Sequence, residues 1–186
     1  MDPGFCRRMF LNRREMRRFQ WEGGFVGYWY ENRQALVENL VDLDLGIWGT
    51  RWKNKKRRSR ILYPFVRGEG LYGENVVRFY NAARINLNIS AWSGGIDSGI
   101  NLRIFDVPAS GGFLMRDYTE ELPEVFKIRE EIEAYQSLEE MRDTLKYYLN
   151  HDGVREKIAL KGYARVRKDH TFHQRMLELL QIVKNG

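Results

Sequence analysis

Short apolar runs alternate with longer segments of helical periodicity along most of the chain. Runs rich in β-branched and aromatic residues predict strands, and apolar residues spaced three and four apart predict helices. The predicted strands are residues 23–29, 45–49, 61–66, 84–90, 112–117 and 130–136. The predicted helices are residues 31–43, 73–84, a short element from residue 99 to 106, 137–150, 152–168 and 171–184.

This alternation predicts an α/β fold, a Rossmann-like doubly wound parallel sheet of about six strands with helices on both faces. With the strand order 3-2-1-4-5-6, strands one and four are neighbours whose connections leave in opposite directions. The crevice beyond their carboxyl ends is then the expected binding site, lined by the loops at 27–33 and 90–103. Residues 1–22 lie outside the alternation, so we expect a basic tail or linker remnant followed by one domain at 23–186.

Bulk composition narrows the class of protein. The chain has 186 residues, 43% hydrophobic and 30% charged, which is typical of a globular domain. Cys6 is the single cysteine, which excludes an intrachain disulfide and suits a reducing compartment. No apolar stretch has the length of a membrane span or a signal peptide, so a cytoplasmic location is expected.

Positive charge is concentrated in the first part of the chain. Residues 1–70 hold 15 Lys/Arg against 8 Asp/Glu, whereas residues 71–186 hold 16 against 17. The excess comes largely from residues 7–18 and from the basic run RWKNKKRRSR at 51–60. Such a run is either a solvated loop or a contact for nucleic acid or an anionic surface. A non-catalytic binding module that uses residues 51–60 is therefore the alternative function.

Two motifs resemble known sites without the context that those sites need. The segment GEGLYG at 68–73 matches G-x-G-x-x-G, but it follows the third predicted strand and not the first. An NAD-linked enzyme is thus a third, weaker interpretation. His170 and His173 lie beside Asp169, but no further convergent ligand completes a zinc site, and a helix start is the simpler reading.

Residues 99–113, GINLRIFDVPASGGF, carry the most distinctive pattern. The preceding loop SGGIDSG (93–99) is open to close ligand approach, and the helix behind it directs free N–H groups at the predicted crevice. Arg103 offers a fixed positive charge with paired donors, and Asp106 can accept hydrogen bonds from ribose. The alternative is an Arg–Asp surface pair worth a few tenths of a kcal/mol. Pro108 is expected to kink or end this helix.

From about residue 25 to 183, the chain resembles the C-terminal, donor-binding half of a GT-B glycosyltransferase. The closest resemblance is to the CgeB-like (spore-maturation protein) group of the group-1 transferases. The resemblance rests on an ordered set of segments, FVGYWYENRQALVENL, GIWGTRW, LYGENVVRFYNAARINLNIS, NLRIFDVPASGGFLMRDY, YQSLEEMRDTLKYYLNH and HTFHQRMLELL.

The resemblance implies a set of donor-binding residues. Asp106 stands where the family usually has the Glu that holds the donor ribose, and Arg33 matches a recurring Arg near the phosphates. Many group-1 transferases have a further acid eight residues before Asp106; here that position is Ser98, with Asp97 beside it. The predicted donor-binding residues are Gly27, Tyr28, Arg33, Gly68, Ser90, Trp92, Ser98, Gly99, Asn101, Arg103 and Asp106.

The implied reaction transfers a sugar from a nucleotide-diphosphate donor, such as a UDP- or GDP-sugar, to an acceptor. Helix N-terminal amides and basic side chains can stabilise the departing diphosphate without a metal, so no metal or cofactor is expected. A GT-B enzyme has a second, N-terminal domain that binds the acceptor. Since strand one begins near residue 24, we expect this chain alone to bind donor weakly and to be inactive; no catalytic residue is assigned.

Overall fold

A computed structural model describes residues 8–53, 60–90 and 99–185. The strands are β1 (Gly23–Val26), β2 (Leu45–Trp48), β3 (Val66–Gly68), β4 (Ile85–Asn88), β5 (Leu114–Asp117) and β6 (Glu133–Tyr135). The helices are α1 (Arg13–Phe19), α2 (Glu31–Glu38), α3 (Glu74–Ala82), α4 (Arg103–Ala109), α5 (Leu122–Val125), α6 (Leu138–Asn150), α7 (Asp152–Asp169) and α8 (Phe172–Asn185). A 3₁₀ helix spans Arg60–Phe65.

The six strands form one parallel sheet in the order β3-β2-β1-β4-β5-β6. The predicted fold class and strand order are therefore confirmed. β1 and β4 lie side by side at the centre, with Gly23 opposite Ile85 and Phe25 opposite Leu87. Because the sheet is wound outward in both directions from this pair, their carboxyl ends open a crevice between the diverging connections.

Two hydrophobic cores lie on opposite faces of the sheet, since alternate side chains of a strand point to opposite sides. On β5, Met115 belongs to the first core and Leu114 to the second. α2 and α6 cover the first core, and α1, α3 and α4 cover the second. α7 contributes to both, with Ile158 in the first core and Val166 in the second.

The predicted third strand at residues 61–66 is wrong over most of its length. Residues 60–65 form the 3₁₀ helix, and only Val66–Gly68 pair with β2. Pro64 lies inside this 3₁₀ helix, and its fixed φ of about −65° suits the helix as well as an extended edge strand, so the apolar run alone does not decide between the two. The apolar run of residues 61–66 is still partly buried, since Leu62 lies in the first core.

Part of the segment preceding β1 packs on the domain. α1 begins with a capping box, in which the Asn12 side chain accepts from the N–H of Glu15 and the Glu15 carboxylate accepts from the N–H of Asn12. Glu15 also pairs with Arg78 of α3 at 2.8 Å, and Phe19 is 1% exposed in the second core. The packed helix thus lies within the residues that the sequence analysis set apart as a tail.

His170 lies at the junction of α7 and α8 and packs against Phe105 and Phe126. Its Nε2 is 3.1 Å from the carbonyl oxygen of Val125, and Arg175 of α8 donates to its Nδ1 at 2.9 Å. These partners fix a neutral ring with Nε2 protonated. Burial is the main cause that lowers the pKa of His170, and the charges of Arg175 and Arg165 add to it against Asp169 and the Val125 carbonyl.

We expect the free energy of unfolding to fall as the pH falls below about 6.5, the usual pKa of histidine. Below that value the unfolded chain binds a proton at His170 that the folded chain resists, so acidification favours unfolding. Urea denaturation of the wild type and of His170→Gln at pH 7.5 and 5.5 measures this contribution. The variant should lose less stability on acidification than the wild type. An equal loss in both proteins would contradict the conclusion that His170 is buried as a neutral ring.

Candidate functional site at the carboxyl ends of the strands

The crevice between β1 and β4 is bridged by Arg33, which is 3% exposed. Its Nε donates to the carbonyl oxygen of Ile89, just past β4, and its Nη1 donates to the carbonyl oxygen of Tyr28, just past β1, both at 2.8 Å. One side chain of α2 thus joins the two strand ends that diverge at the crevice.

Arg33 keeps its positive charge in this buried position, although the pKa of its guanidinium is lowered to about 10. Burial is the main cause, and the neighbouring positive charge of Arg103 is the second. Tyr30 and Asp117 act in the opposite direction. At neutral pH both guanidinium groups are charged, so the end of β1 is a region of positive potential.

Arg103, the first residue of α4, reaches back to β1. Its Nη1 donates to the carbonyl oxygen of Val26 at 2.7 Å. A Cβ atom at Gly27 would lie 2.8 Å from this nitrogen, so Gly27 leaves the space in which the guanidinium lies. Gly27 and Arg103, two of the predicted donor-binding residues, are therefore neighbours at the end of β1.

Asn101 positions the start of α4. Its side-chain amide exchanges two hydrogen bonds with the amide of Asn88, at 3.0 and 3.1 Å, and its Oδ1 accepts from the N–H of Arg103. Asn88 is buried at the end of β4. The pair therefore fixes the direction in which α4 begins relative to β4, and Asn101 has a structural role in this arrangement.

A second buried arginine, Arg116 on β5, was not among the predicted site residues. Its side chain is fully buried. Its Nε donates to the carbonyl oxygen of Asp117 at 2.6 Å and its Nη2 to Oγ of Ser90 at 3.2 Å, while Asp117 Oδ1 accepts from the N–H of Ser90 at 3.0 Å. Burial lowers the pKa of Arg116, and Asp117 opposes that shift. The end of β4 is thus held from both sides, by Arg33 and by Arg116.

The remaining predicted residues divide into three groups. Asp106 is half-buried in the first turn of α4, whose last turn contains Pro108 as expected, and Gly99 has φ 149° just before that helix. Gly68 ends β3 and accepts, through its carbonyl, from the N–H of Gly49 at 3.0 Å. Trp92 and Ser98, and residues 54–59 of the basic run, lie outside the described residues.

Three residues of the site were not predicted, and the sequence carried a signal for two of them. Asn88 and Arg116 are polar residues within runs that otherwise read as buried strands, and a buried polar side chain requires partners. Arg51, just past β2, has φ 70° and lies with its guanidinium carbon 5.1 Å from the ring centre of Tyr28. That backbone conformation is not readable from the sequence of a non-glycine residue.

The described part of the chain has neither a cluster of metal-ligating side chains nor a helix that could span a membrane. Residues 8–53, 60–90 and 99–185 contain no group of three or more His, Cys, Asp or Glu side chains that could hold a metal ion. Over the same ranges, no helix is both long and apolar enough to span a membrane.

The fold and the crevice define a Rossmann-like α/β domain with an arginine-lined cleft at its topological switch point. Residues 32–181 match the model of the glycosyl transferase-like family, and the chain belongs to that family. Among curated protein sequences, none matches the chain. The narrower resemblance to the CgeB-like group stays a prediction.

Three solved structures show the same fold at low sequence identity. The C-terminal domain of the group 1 glycosyl transferase LpcC from Francisella tularensis is 14% identical, with a TM-score of 0.70 over 92% of this chain and 99% of that domain. A glycosyltransferase from Rickettsia africae is 12% identical, with a TM-score of 0.69 over 99% of this chain and 53% of that one. Sucrose-phosphate synthase from Thermosynechococcus elongatus is 16% identical, with a TM-score of 0.64 and coverages of 88% and 44%. The chain thus spans about half the length of these two larger proteins.

Proposed function

We propose that the crevice binds a nucleoside-diphosphate sugar and that the domain is the donor-binding part of a glycosyltransferase. The observation that carries the proposal is the cluster of Arg33, Arg103 and Arg116 around the ends of β1 and β4. Arg33 and Arg103 direct hydrogen bonds to backbone carbonyl oxygens, which hold the guanidinium groups in place and leave their charge intact. Positive charge fixed at the ends of these strands attracts a diphosphate.

The same cluster suits the chemistry of glycosyl transfer. Negative charge develops on the diphosphate as the bond to the sugar breaks, and groups that are oriented beforehand stabilise it without reorganising. We assign this role to Arg103 and Arg33, and we assign the donor ribose to Asp106, as the family resemblance implies. Since the arginines supply the positive charge, the proposed transfer does not depend on a metal or cofactor, and chelation by EDTA should leave it unchanged.

Transfer also requires a place for the acceptor. The larger glycosyltransferases that share this fold are about twice as long as the matched region. We therefore propose that an acceptor-binding domain acts together with this one. The 186-residue chain by itself should bind the nucleotide and transfer sugar slowly or not at all.

Nucleotide binding tests the proposal directly. Isothermal titration of the chain with UDP, GDP, ADP, CDP and dTDP should reveal one or two that bind, in the micromolar to millimolar range. Arg103→Gln should weaken the best of them by about tenfold or more, since a hydrogen bond to a charged group contributes about 1.5–3 kcal/mol. Lys161→Gln is the matched control, because Lys161 pairs with Glu130 just ahead of the edge strand β6, away from the crevice at the carboxyl ends of β1 and β4.

Asp106→Asn separates the ribose contact from a general effect of charge. If Asp106 holds ribose, the variant should bind the preferred ribonucleotide more weakly, and its 2′-deoxy counterpart should lose less. Failure of all five nucleotides to bind the wild type would overturn the proposed function. Salt-dependent binding of duplex DNA in its place would support the module based on residues 51–60.

A further inference from the structure

The carboxyl ends of β1, β2 and β3 are tied into one rigid platform. The N–H of Gly49 donates to the carbonyl oxygen of Gly68, and Trp52 Nε1 donates to the carbonyl oxygen of Gly27 at 2.9 Å. A Cβ atom at Gly49 would lie 1.8 Å from that same oxygen of Gly27. The loops after these strands therefore leave the sheet in close contact, with little freedom to shift.

Arg51 extends from this platform in a strained conformation. Its φ of 70° is in the left-handed region, which is unfavourable for a residue with a Cβ, and its side chain is exposed. A strained residue of this kind costs about 1–3 kcal/mol and persists where the surroundings enforce it. The neighbouring Trp52, which is buried and bonded to the carbonyl oxygen of Gly27, holds this backbone turn, while the Arg51 side chain itself stays exposed.

The strained backbone places the Arg51 guanidinium at the edge of the crevice. Its central carbon lies 5.1 Å from the ring centre of Tyr28, whose ring centre is 5.4 Å from that of Tyr30. Arg33 lies on Tyr30 in turn, at 5.1 Å. Two cations and two aromatic rings thus form a row from the end of β2 to the end of β4. We call Arg51, Tyr28, Tyr30 and Arg33 the cation–aromatic row.

We propose that Arg51 binds a phosphate group of the nucleotide donor, an inference that rests on the proposed function. A guanidinium held against an aromatic face keeps its N–H donors in its own plane, where they can pair with phosphate oxygens. The Arg51 guanidinium lies over the ring of Tyr28, and within the ranges that the structure describes no carboxylate pairs with it. The first residue of the basic run would then serve the donor site and not a separate nucleic-acid surface.

Arg51→Gly separates binding from folding, since glycine removes the charge and also relieves the strain at φ 70°. The variant should be at least as stable as the wild type in thermal unfolding. Its affinity for UDP or GDP, whichever the wild type binds more tightly, should be weaker by about tenfold, the loss typical of a charge-assisted hydrogen bond. Affinity for the corresponding nucleoside, measured by NMR titration, should be unchanged.

Arg129→Gly is the matched control. Arg129 also has positive φ, 67°, and its side chain is 75% exposed, but it lies ahead of β6 at the opposite edge of the sheet. It should show the same relief of strain and loss of one charge, with nucleotide affinity unchanged. An equal loss of affinity in both variants would attribute the effect to net charge and overturn the inference.

Two other outcomes distinguish the inference from the function on which it rests. If the wild type binds the nucleotide and Arg51→Gly binds it equally well, the role of Arg51 is wrong and the proposed function stands. If Arg51→Gly loses affinity for the nucleoside diphosphate and for the nucleoside alike, Arg51 acts by positioning the ring of Tyr28, and the proposed phosphate contact is wrong. Absence of nucleotide binding by the wild type overturns the proposed function itself.

Discussion

The Gly162→Ala variant is expected to unfold at a temperature about 2–8 °C below that of the wild type. Gly162 lies within α7, where alanine is normally better than glycine by about 1 kcal/mol. Here, however, a Cβ atom would lie 2.2 Å from the carbonyl oxygen of Glu131, in the turn that leads into β6. Separating two backbone segments in a packed protein costs about 1–3 kcal/mol or more, which exceeds the gain in helix propensity.

Gly153→Ala in the same helix is the control for this prediction. Nothing lies within 4 Å of a Cβ atom at Gly153, so only the helix propensity changes. This variant should unfold about 1–4 °C higher than the wild type, because a gain of 0.5–1 kcal/mol corresponds to about 2–4 °C per kcal/mol in a chain of this size. Differential scanning calorimetry of both variants gives the comparison. A Gly162→Ala protein as stable as Gly153→Ala would show that α7 and the turn can separate freely.

Replacing Arg33 by methionine should reduce both stability and nucleotide affinity. Methionine retains much of the apolar stem but leaves the carbonyl oxygens of Ile89 and Tyr28 without the donor that each now has. Each charge-assisted bond contributes about 1.5–3 kcal/mol, so we expect a loss of about 3 kcal/mol or more. Arg33→Lys should retain only part of the stability and affinity that Arg33→Met loses, because one ammonium group does not reproduce the planar guanidinium that reaches both oxygens.

Arg84→Met provides the control for affinity. Arg84 directly precedes β4 and pairs with Asp152, so it lies at the other end of the strand whose carboxyl end contacts Arg33. Both variants should lose stability in urea titrations, but only Arg33→Met should lose affinity for the nucleotide diphosphate. Equal affinities of Arg33→Met and the wild type would limit Arg33 to a structural role.

The sequence predicted the architecture because the strand–helix alternation leaves few topologies open. All-parallel order and the placement of the crevice followed from connection rules that hold across α/β proteins. The prediction failed at residues 60–65, where an apolar run has the composition of a strand but contains Pro64. Hydrophobicity reports burial there, and it does not distinguish an edge strand from a 3₁₀ helix, since the φ of proline is compatible with both.

Part of the candidate site could be predicted from the sequence, because the topology decides which loops meet. Arg33, Arg103 and Gly27 follow from their positions next to strand ends, which the topology brings together. Arg116 was missed because a polar residue in a buried strand signals that it has a partner but not which one, and its partner Ser90 lies past the end of the neighbouring strand. Arg51 depends on a backbone angle imposed by contacts among three loops, which are not local in sequence.

The path of α7 bears on how the domain unfolds. The helix begins beside the first core and ends in the second. Detaching it therefore removes Ile158 from the first core and Val166 from the second at the same time. Neither layer of helices can then open while the other retains its full packing. Slowly exchanging amide protons in β1 and β4 should accordingly share one opening free energy, with the two faces of the sheet behaving as a single cooperative unit.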